Sequence, residues 1–153
     1  MTFLAQMVAG AIGGALNAAL VATRPVGNRN TPLASCLGVA AGIYVGFGLQ
    51  DGQPNHAFTE ILAALPFIAA AMWWPHAIRV LAIAWLAHGV LDSLHLLGVI
   101  ETRVPYWYPG ACLGWDAVLG LAGLHWANAL DRPEAAHRAG GDAEQGEAHE
   151  ARG

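Results

Sequence analysis

Residues 76–98 read HAIRVLAIAWLAHGVLDSLHLLG, and this stretch is long enough and apolar enough to cross a lipid bilayer. A membrane-spanning helix needs about 20 mostly apolar residues. The same stretch carries His88, Asp92 and His95, whose spacing of i, i+4 and i+7 puts them on one helix face. Ionisable side chains inside a membrane cost at least about 2.5–3.5 kcal/mol each, so they mark functional sites by default. The stretch therefore indicates both a class of fold and the position of a site.

The composition of the whole chain supports a membrane protein. Of its 153 residues, 56% are hydrophobic and 12% are charged, whereas soluble domains carry about 25% charge. Nine charged residues lie in residues 1–130, and the other nine crowd into residues 131–153. This excludes an ordinary soluble domain, whose surface needs roughly 25–35% charged residues. It also excludes a nucleic acid partner, because phosphate binding needs a basic surface.

Four further segments have the length and apolar character of spans, and Pro, Gly, Asn and Asp separate them. The five predicted spans occupy about residues 2–22, 32–49, 55–74, 76–98 and 109–130. The sequence thus predicts an all-α integral membrane bundle of five transmembrane helices in residues 1–130. A disordered acidic cytoplasmic tail is predicted for residues 131–153, which are polar and lack apolar periodicity.

Arginine positions predict the orientation of this bundle in the membrane. With five spans, Arg24, Arg29 and Arg79 share one side with the arginines of the tail, whereas Arg103 lies on the other side. Short cytoplasmic loops carry an excess of Lys and Arg. The N-terminus is therefore predicted outside and the C-terminus in the cytoplasm.

Small residues in the spans predict helix contacts. Glycines four residues apart let helix backbones approach closely in lipid, where apolar side chains gain nothing from leaving water. Three such sets occur: Gly10 with Gly14, Gly38 with Gly42 and Gly46, and Gly110 with Gly114. They are predicted to form contact seams, within the bundle or in a homodimer. Cys36 and Cys112 are predicted near opposite ends of their spans, too far apart for a disulfide, as packing residues.

Several ionisable residues fall at one depth in three spans. Counted from the loops after spans two and four, Glu60, Asp92 and Asp116 lie six or seven residues inside their spans. At 1.5 Å per residue that depth is about 9–10 Å. His56 and His95 are predicted above them and His88 about one turn below. The candidate site therefore has His88, Asp92, His95, Asp116 and His56 as metal ligands and Glu60 as a general base.

Three carboxylates cannot sit together unpaired at low dielectric, so they must be protonated or hold a cation. No arginine is predicted in their layer. A divalent metal satisfies the requirement, with zinc first and iron or manganese as alternatives for mixed His and carboxylate donors. Two other interpretations stay open: a structural or proton-relay network, and haem held by His56 together with His88 or His95.

Residues of spans four and five also form a longer pattern. Trp85, His88, Asp92 and His95 give W-x-x-H-x-x-x-D-x-x-H, and Cys112 and Asp116 follow in PYWYPGACLGWDAVLGL at residues 105–121. This pattern resembles an uncharacterised family of small bacterial multi-pass membrane proteins. The resemblance implies the bacterial inner membrane and the same His and Asp set, and it implies no activity. A looser similarity to membrane hydrolases of the alkaline ceramidase type is an analogy of intramembrane zinc chemistry.

Two classes of function follow from the candidate site. In the first, a metal-activated water hydrolyses a lipid-like substrate, with Glu60 as the base; a di-metal oxidation centre is a second enzymatic form. In the second, the chain is a proton- or ion-coupled small transporter, because intramembrane carboxylates and histidines also line ion pathways. A haem-binding or assembly subunit is a further alternative.

Overall fold

The computed structural model describes residues 2–131, and beyond them only the helical assignment of the last helix continues. Within the described residues there are five α-helices and no β-strand. They are α1 (Phe3–Ala22), α2 (Asn30–Gln50), α3 (Pro54–Trp73), α4 (Ile78–Leu96) and α5 (Tyr108–Glu150), with a 3₁₀ turn at Val26–Asn28. The prediction of an all-helical chain with five long helices is confirmed. The side chains of residues 132–150 and the whole of residues 151–153 are not described, so the disorder predicted for the tail at residues 131–153 is not tested and stays a prediction.

Local residue chemistry sets the helix ends. Thr2 caps α1 through its side-chain oxygen, which accepts a hydrogen bond from the backbone N–H of Ala5. Pro54 occupies the first position of α3, where its missing N–H costs nothing. Gly52 and Gly98 follow α2 and α4 with φ angles of 72° and 67°, which other residues rarely adopt. The predicted breaks therefore agree with the helix boundaries to within two residues, except that α5 continues to Glu150 and does not end at about residue 130.

Helix α4 lies at the centre of the bundle. It packs against α5 on one side and against α2 and α3 on the other, while α1 packs along α5. More than half of its residues are buried, including Trp85, whose indole N–H donates to the carbonyl of Leu33 on α2 at 3.2 Å. The helix with the densest polar pattern is thus the most enclosed one.

The glycine seam predicted for α1 and α5 is present. A Cβ atom at Gly10 would lie 1.7 Å from the carbonyl oxygen of Ala111, and one at Gly114 would lie 2.1 Å from that of Met7. The two backbones are therefore in direct contact. By contrast, no heavy atom lies within 4 Å of a Cβ placed at Gly38, Gly42 or Gly46. Within the part of the chain that the structure describes, a side chain added along that stripe of α2 would meet open space.

One end of the bundle brings together the connection before α2, the start of α4 and the later part of α5. The Arg29 guanidinium lies 4.8 Å from the centre of the Trp126 ring. Arg79 donates a hydrogen bond to the Asn128 side-chain oxygen at 3.1 Å. We call this end the Arg79 end.

The opposite end joins the two other connections. Asp51, which follows α2, lies 3.6 Å from the Arg103 guanidinium nitrogen Nε, in the connection before α5. We call it the Asp51 end. Successive helices therefore run in alternating directions, because the connections after α1 and α3 lie at one end and those after α2 and α4 at the other.

The outside of the bundle is apolar. Leu20 on α1 and Trp73 on α3 are 71% and 73% exposed, and large apolar side chains cover the outer faces of both helices. Soluble monomers rarely expose contiguous apolar patches of this kind. The three segments Phe3–Ala22, Val26–Gln50 and Pro54–Trp73 are long and apolar enough to cross a membrane. Helices α4 and α5 carry His88, Asp92, His95 and Asp116 among their buried residues.

The α1–α5 seam makes a direct prediction. We expect Gly10→Ala to lower the free energy of unfolding by about 1–3 kcal/mol or more, because the added methyl group overlaps the Ala111 carbonyl and forces the helices apart. The matched control, Gly42→Ala, meets open space and should be neutral or stabilise the helix by up to about 1 kcal/mol. Unfolding in detergent, followed by circular dichroism, measures both. Equal stability of the two variants would contradict the seam.

Candidate metal centre

Helix α4 is tied to three neighbouring helices by buried polar side chains that lie within two turns of α4. Each tie is a short side-chain hydrogen bond from one helix to another. They are His88 Nδ1 to Asp116 Oδ2 at 2.7 Å, Tyr44 Oη to Asp92 Oδ1 at 2.6 Å, and His95 Nε2 to Glu60 Oε1 at 2.8 Å. The predicted layer of carboxylates thus corresponds to a continuous set of contacts across α2, α3, α4 and α5.

Three of the predicted ligands form one compact group. His88, Asp92 and Asp116 each offer one ligand atom, and these atoms all lie within 4.8 Å of one another. His88 and Asp92 are fully buried, and Asp116 is 2% exposed. One imidazole nitrogen and two carboxylates are donors that suit a divalent metal ion. A metal ion could be held here by side chains of α4 and α5.

The charges of this group require compensation. Asp92 and Asp116 are neighbouring carboxylates in a buried site, and two such groups cannot both stay ionised without a positive partner. Every arginine in residues 2–131 lies in a connection or near a helix end. His88 can neutralise one carboxylate at most. The remaining charge must be cancelled by a proton or by a bound cation.

Two unpartnered buried atoms are compatible with a bound cation. Asp92 Oδ2 and His88 Nε2 are buried and have no hydrogen-bond partner. A buried polar atom without a partner costs about 1–3 kcal/mol. A metal ion would relieve this cost at Asp92, because Oδ1 is occupied by the Tyr44 hydroxyl while Oδ2 is free. The donor atoms of His88, Asp92 and Asp116 therefore fit the divalent metal ion that the sequence predicts.

His95 and Glu60 form a separate pair beside this group. The His95 Nδ1 atom faces the Leu91 carbonyl at 3.0 Å, and because a carbonyl can only accept, Nδ1 carries a proton. A second proton must therefore lie between Nε2 and the Glu60 carboxyl oxygen, bound either to the ring or to the carboxyl group. His95 consequently lies outside the three-residue group, and its two ring nitrogens are both engaged.

His56 lies elsewhere. It was predicted as a metal ligand above the carboxylates, but its Nδ1 atom hydrogen-bonds the Asp51 carboxylate at the Asp51 end. The structure does not bring it to His88, Asp92 and Asp116. It lies in the first turn of α3, close to the connection that contains Asp51.

Tyr44 is the site residue that the sequence reasoning missed. It is almost fully buried, donates to Asp92, and stacks its ring on His95 with centroids 4.2 Å apart and an interplanar angle of 24°. It therefore connects the group of His88, Asp92 and Asp116 to the pair of Glu60 and His95. Tyr44 lies seven residues from Asp51, or about 10 Å along the helix, the depth at which the carboxylates were predicted. The same depth count, applied to hydroxyl groups, would have found it.

A cavity of about 590 Å³ adjoins the group and has Asp116 on its wall. Most of its lining is apolar, including Val39, Ile43 and Trp115. Ligand sites commonly have volumes of about 300–1,000 Å³ and combine apolar walls with a few polar groups. Asp116 thus lies at the boundary between the buried group and an apolar space.

Comparison with known proteins adds no relative. No family model, curated protein or solved structure matches the chain. The resemblance carried by Trp85, His88, Asp92 and His95 stays a prediction. Function must therefore be argued from the site.

The His95–Glu60 pair can be tested by a double-mutant cycle. We expect His95→Leu and Glu60→Leu each to lower the free energy of unfolding by about 1–3 kcal/mol, because each leaves a buried polar partner unsatisfied. The double variant should lose less than the sum, since neither orphan remains. The control, His125→Leu, changes an exposed residue and should stay within about 0.5 kcal/mol. Strict additivity in detergent unfolding would show that the pair makes no net contribution.

The contact at the Asp51 end predicts a pH dependence. The His56 hydrogen bond holds the pKa of Asp51 below its usual range, and the backbone N–H of Arg103 acts in the same direction. A carboxyl group with a lowered folded pKa contributes stability above its unfolded pKa of about 3.9, and the contribution is lost as the pH falls further. We expect Asp51→Asn to be less stable than the parent at pH 6 and to lose less stability between pH 6 and pH 3. Superimposable melting-temperature profiles would refute this.

Proposed function

We propose that the chain is an integral membrane protein with five spans and a divalent metal site, and that it hydrolyses a lipid-like substrate. The observation that carries the proposal is the buried group of His88, Asp92 and Asp116, with ligand atoms within 4.8 Å of one another. Its location would be a cell membrane, the bacterial inner membrane if the sequence resemblance holds.

The membrane placement is supported by the outer surface and by the alternating helices. Apolar side chains cover α1 and α3, and three segments have the length and hydropathy of spans. The Arg79 end carries Arg24, Arg29 and Arg79, whereas the Asp51 end carries Arg103. The excess of arginine assigns the Arg79 end to the cytoplasm and the N-terminus to the outside. Helices α4 and α5 then complete the five spans.

Three protein ligands with an open position are the usual pattern of catalytic zinc. Zinc fits the imidazole and carboxylate donors best, with iron or manganese as alternatives. Such an ion lowers the pKa of bound water to about 7 and so supplies a nucleophile for hydrolysis. His88 lies on α4 and Asp116 lies on α5, so the packing of α4 against α5 sets the distance between them. Asp116 also lies on the wall of the apolar cavity.

The other polar residues of the chain have distinct roles in this proposal. Tyr44 holds one oxygen of Asp92 and so fixes the direction of the other. Glu60 is the proposed general base: its Oε1 atom is paired with His95, and its Oε2 atom is buried without a hydrogen-bond partner. The His95 ring can exchange a proton with Glu60 directly. A base paired in this way can accept a proton and pass it on.

The alternatives from the sequence receive less support. A relay for ion transport should continue to the cytoplasmic end, but His125, the predicted inner member, is exposed on the outside of α5. For haem, His56 would have to face His88 or His95, and it is bonded to Asp51 instead. The compact three-residue group favours a single ion. An assembly role would use the stripe of Gly38, Gly42 and Gly46 on α2, which is open in the described residues.

The metal is tested by its content in the purified chain. Purified in detergent after growth with zinc, iron and manganese, the protein should carry about one ion per chain by mass spectrometry. Asp92→Asn and Asp116→Asn should lower this content at least about tenfold, whereas Glu101→Gln, in an exposed connection, should leave it unchanged. A folded parent without metal would refute the site.

The reaction is tested separately. Long-chain ester and amide lipids are offered to the metal-loaded protein, and release of the acyl chain is measured. Turnover should disappear with a chelator and in Asp92→Asn, and return when the parent is reloaded with zinc. Metal binding without turnover of any acyl lipid would support the metal site and contradict the hydrolase activity.

A further inference from the structure

The cavity beside Asp116 is a cleft between two helices. Its walls are α1, through Gln6, Ala9 and Gly10, and α2, from Ser35 to Ile43. Helix α5 forms its floor. The cleft exists because α1 packs along α5 while α2 packs on α3 and α4, so α1 and α2 stand apart. We call this space the α1–α2 cleft.

The long axis of the α1–α2 cleft follows the helices. On α5 the lining runs from Tyr108 to Asp116, and on α2 from Ile43 to Ser35, each about 12 Å at 1.5 Å per residue. Because α5 starts and α2 ends at the Asp51 end, Tyr108 lies near that end and Ser35 lies deeper. Asp116 and Ile43 are at about the same depth. The cleft therefore extends along the direction of lipid chains on both sides of Asp116.

The two halves of the cleft differ in chemistry. The half nearer the Asp51 end is amphipathic, with Gln6, Trp107 and Tyr108. The deeper half is lined mainly by apolar groups such as Val39 and Ala40. Asn17 on α1 contacts the sulfur of Cys36 at 3.9 Å and bridges the two helices near the deep end. A ligand that fits has a hydrocarbon chain at one end and a polar group at the other.

We propose that the α1–α2 cleft binds the hydrocarbon chain of a single-chain lipid, with the polar end of the ligand toward the Asp51 end. The chain occupies the deep half, beside Val39 and Ala40. The bond that joins the chain to its polar group then lies at the depth of Asp116. This assignment rests on the membrane placement and metal site proposed above, and it specifies the substrate as an acyl lipid that enters between α1 and α2.

The chain's own cysteines report on the occupant. Cys36 and Cys112 are its two cysteines, both are free, and both line the cleft. Palmitic acid added to the purified protein should slow the reaction of Cys36, in the deep half of the cleft, with N-ethylmaleimide at least fivefold, and should slow that of Cys112, nearer the polar end, less. Intact-mass spectrometry measures the rates. Butyric acid, which has the same carboxylate and almost no chain, is the matched ligand and should protect neither.

Filling the cleft provides the second arm. Ala9→Phe and Ala40→Phe place a ring in the cleft from α1 and α2, and each should lower photolabelling by a diazirine derivative of palmitic acid at least fivefold. Ile12→Phe adds a ring on the exposed outer face of α1 and should leave labelling unchanged. A diazirine phospholipid labels the cleft if a two-chain lipid also enters. Should a filled variant fail to fold, the thiol measurements on the parent still decide.

The outcomes separate the cleft from the metal. Labelling and thiol protection are repeated on Asp92→Asn, whose side chain does not line the cleft. Protection that persists there while metal is lost supports the cleft by itself, and a metal-free parent with protected thiols would overturn only the proposed function. Equal labelling of Ala9→Phe, Ala40→Phe and Ile12→Phe, with both thiols unprotected by palmitic acid, would overturn the cleft assignment even if metal is bound.

Discussion

The structure depends on one electrostatic constraint, the burial of Asp92 and Asp116 side by side between α4 and α5. Charges removed from water at low dielectric must be paired, protonated or bound to a cation. The surrounding residues answer this requirement in part: His88 bonds Asp116, and Tyr44 bonds Asp92. One oxygen of Asp92 remains without a partner. The chain thus brings three ligand atoms of His88, Asp92 and Asp116 within 4.8 Å of one another, a group that could hold a metal ion.

This constraint also explains why the helices divide into two kinds. Helices α1 and α3 present large apolar side chains outward, whereas α4 is enclosed and carries the polar residues. In lipid the polar helix can be stable only if its neighbours cover it, since an unsatisfied polar group has no water to turn to. The α1–α5 backbone contact at Gly10 draws α1 to α5. It thereby leaves α1 apart from α2, so the same packing that covers the site also opens the cleft.

The sequence predicted the helices and most of the site, because both follow from counting along a single helix. Apolar runs between Gly and Pro breaks located the five helices, and residue rise placed Glu60, Asp92 and Asp116 at one level. The features that the sequence did not give depend on contacts between helices, which counting along a single helix does not reveal. His56 has the right approximate depth, but Asp51 lies closer to it than the carboxylates do. Tyr44 was missed because only carboxyl and imidazole side chains were counted. The cleft could not be foreseen because it is a gap between α1 and α2, which pack on different neighbouring helices.

Tyr44 decides whether the polar layer is one site or two. Its hydroxyl group is bonded to Asp92, while its ring lies against His95, the partner of Glu60. A shift of Asp92 toward a bound ion would turn the Tyr44 ring, and the stacked imidazole would have to move with it because close-packed interiors leave no room for independent motion. The position of the Glu60–His95 pair would then depend on whether an ion is bound at His88, Asp92 and Asp116, although the pair does not contact that ion. If Glu60 is the general base proposed above, this coupling would align it only when an ion is bound at His88, Asp92 and Asp116, which is a physical reason for keeping two polar pairs side by side in the bundle.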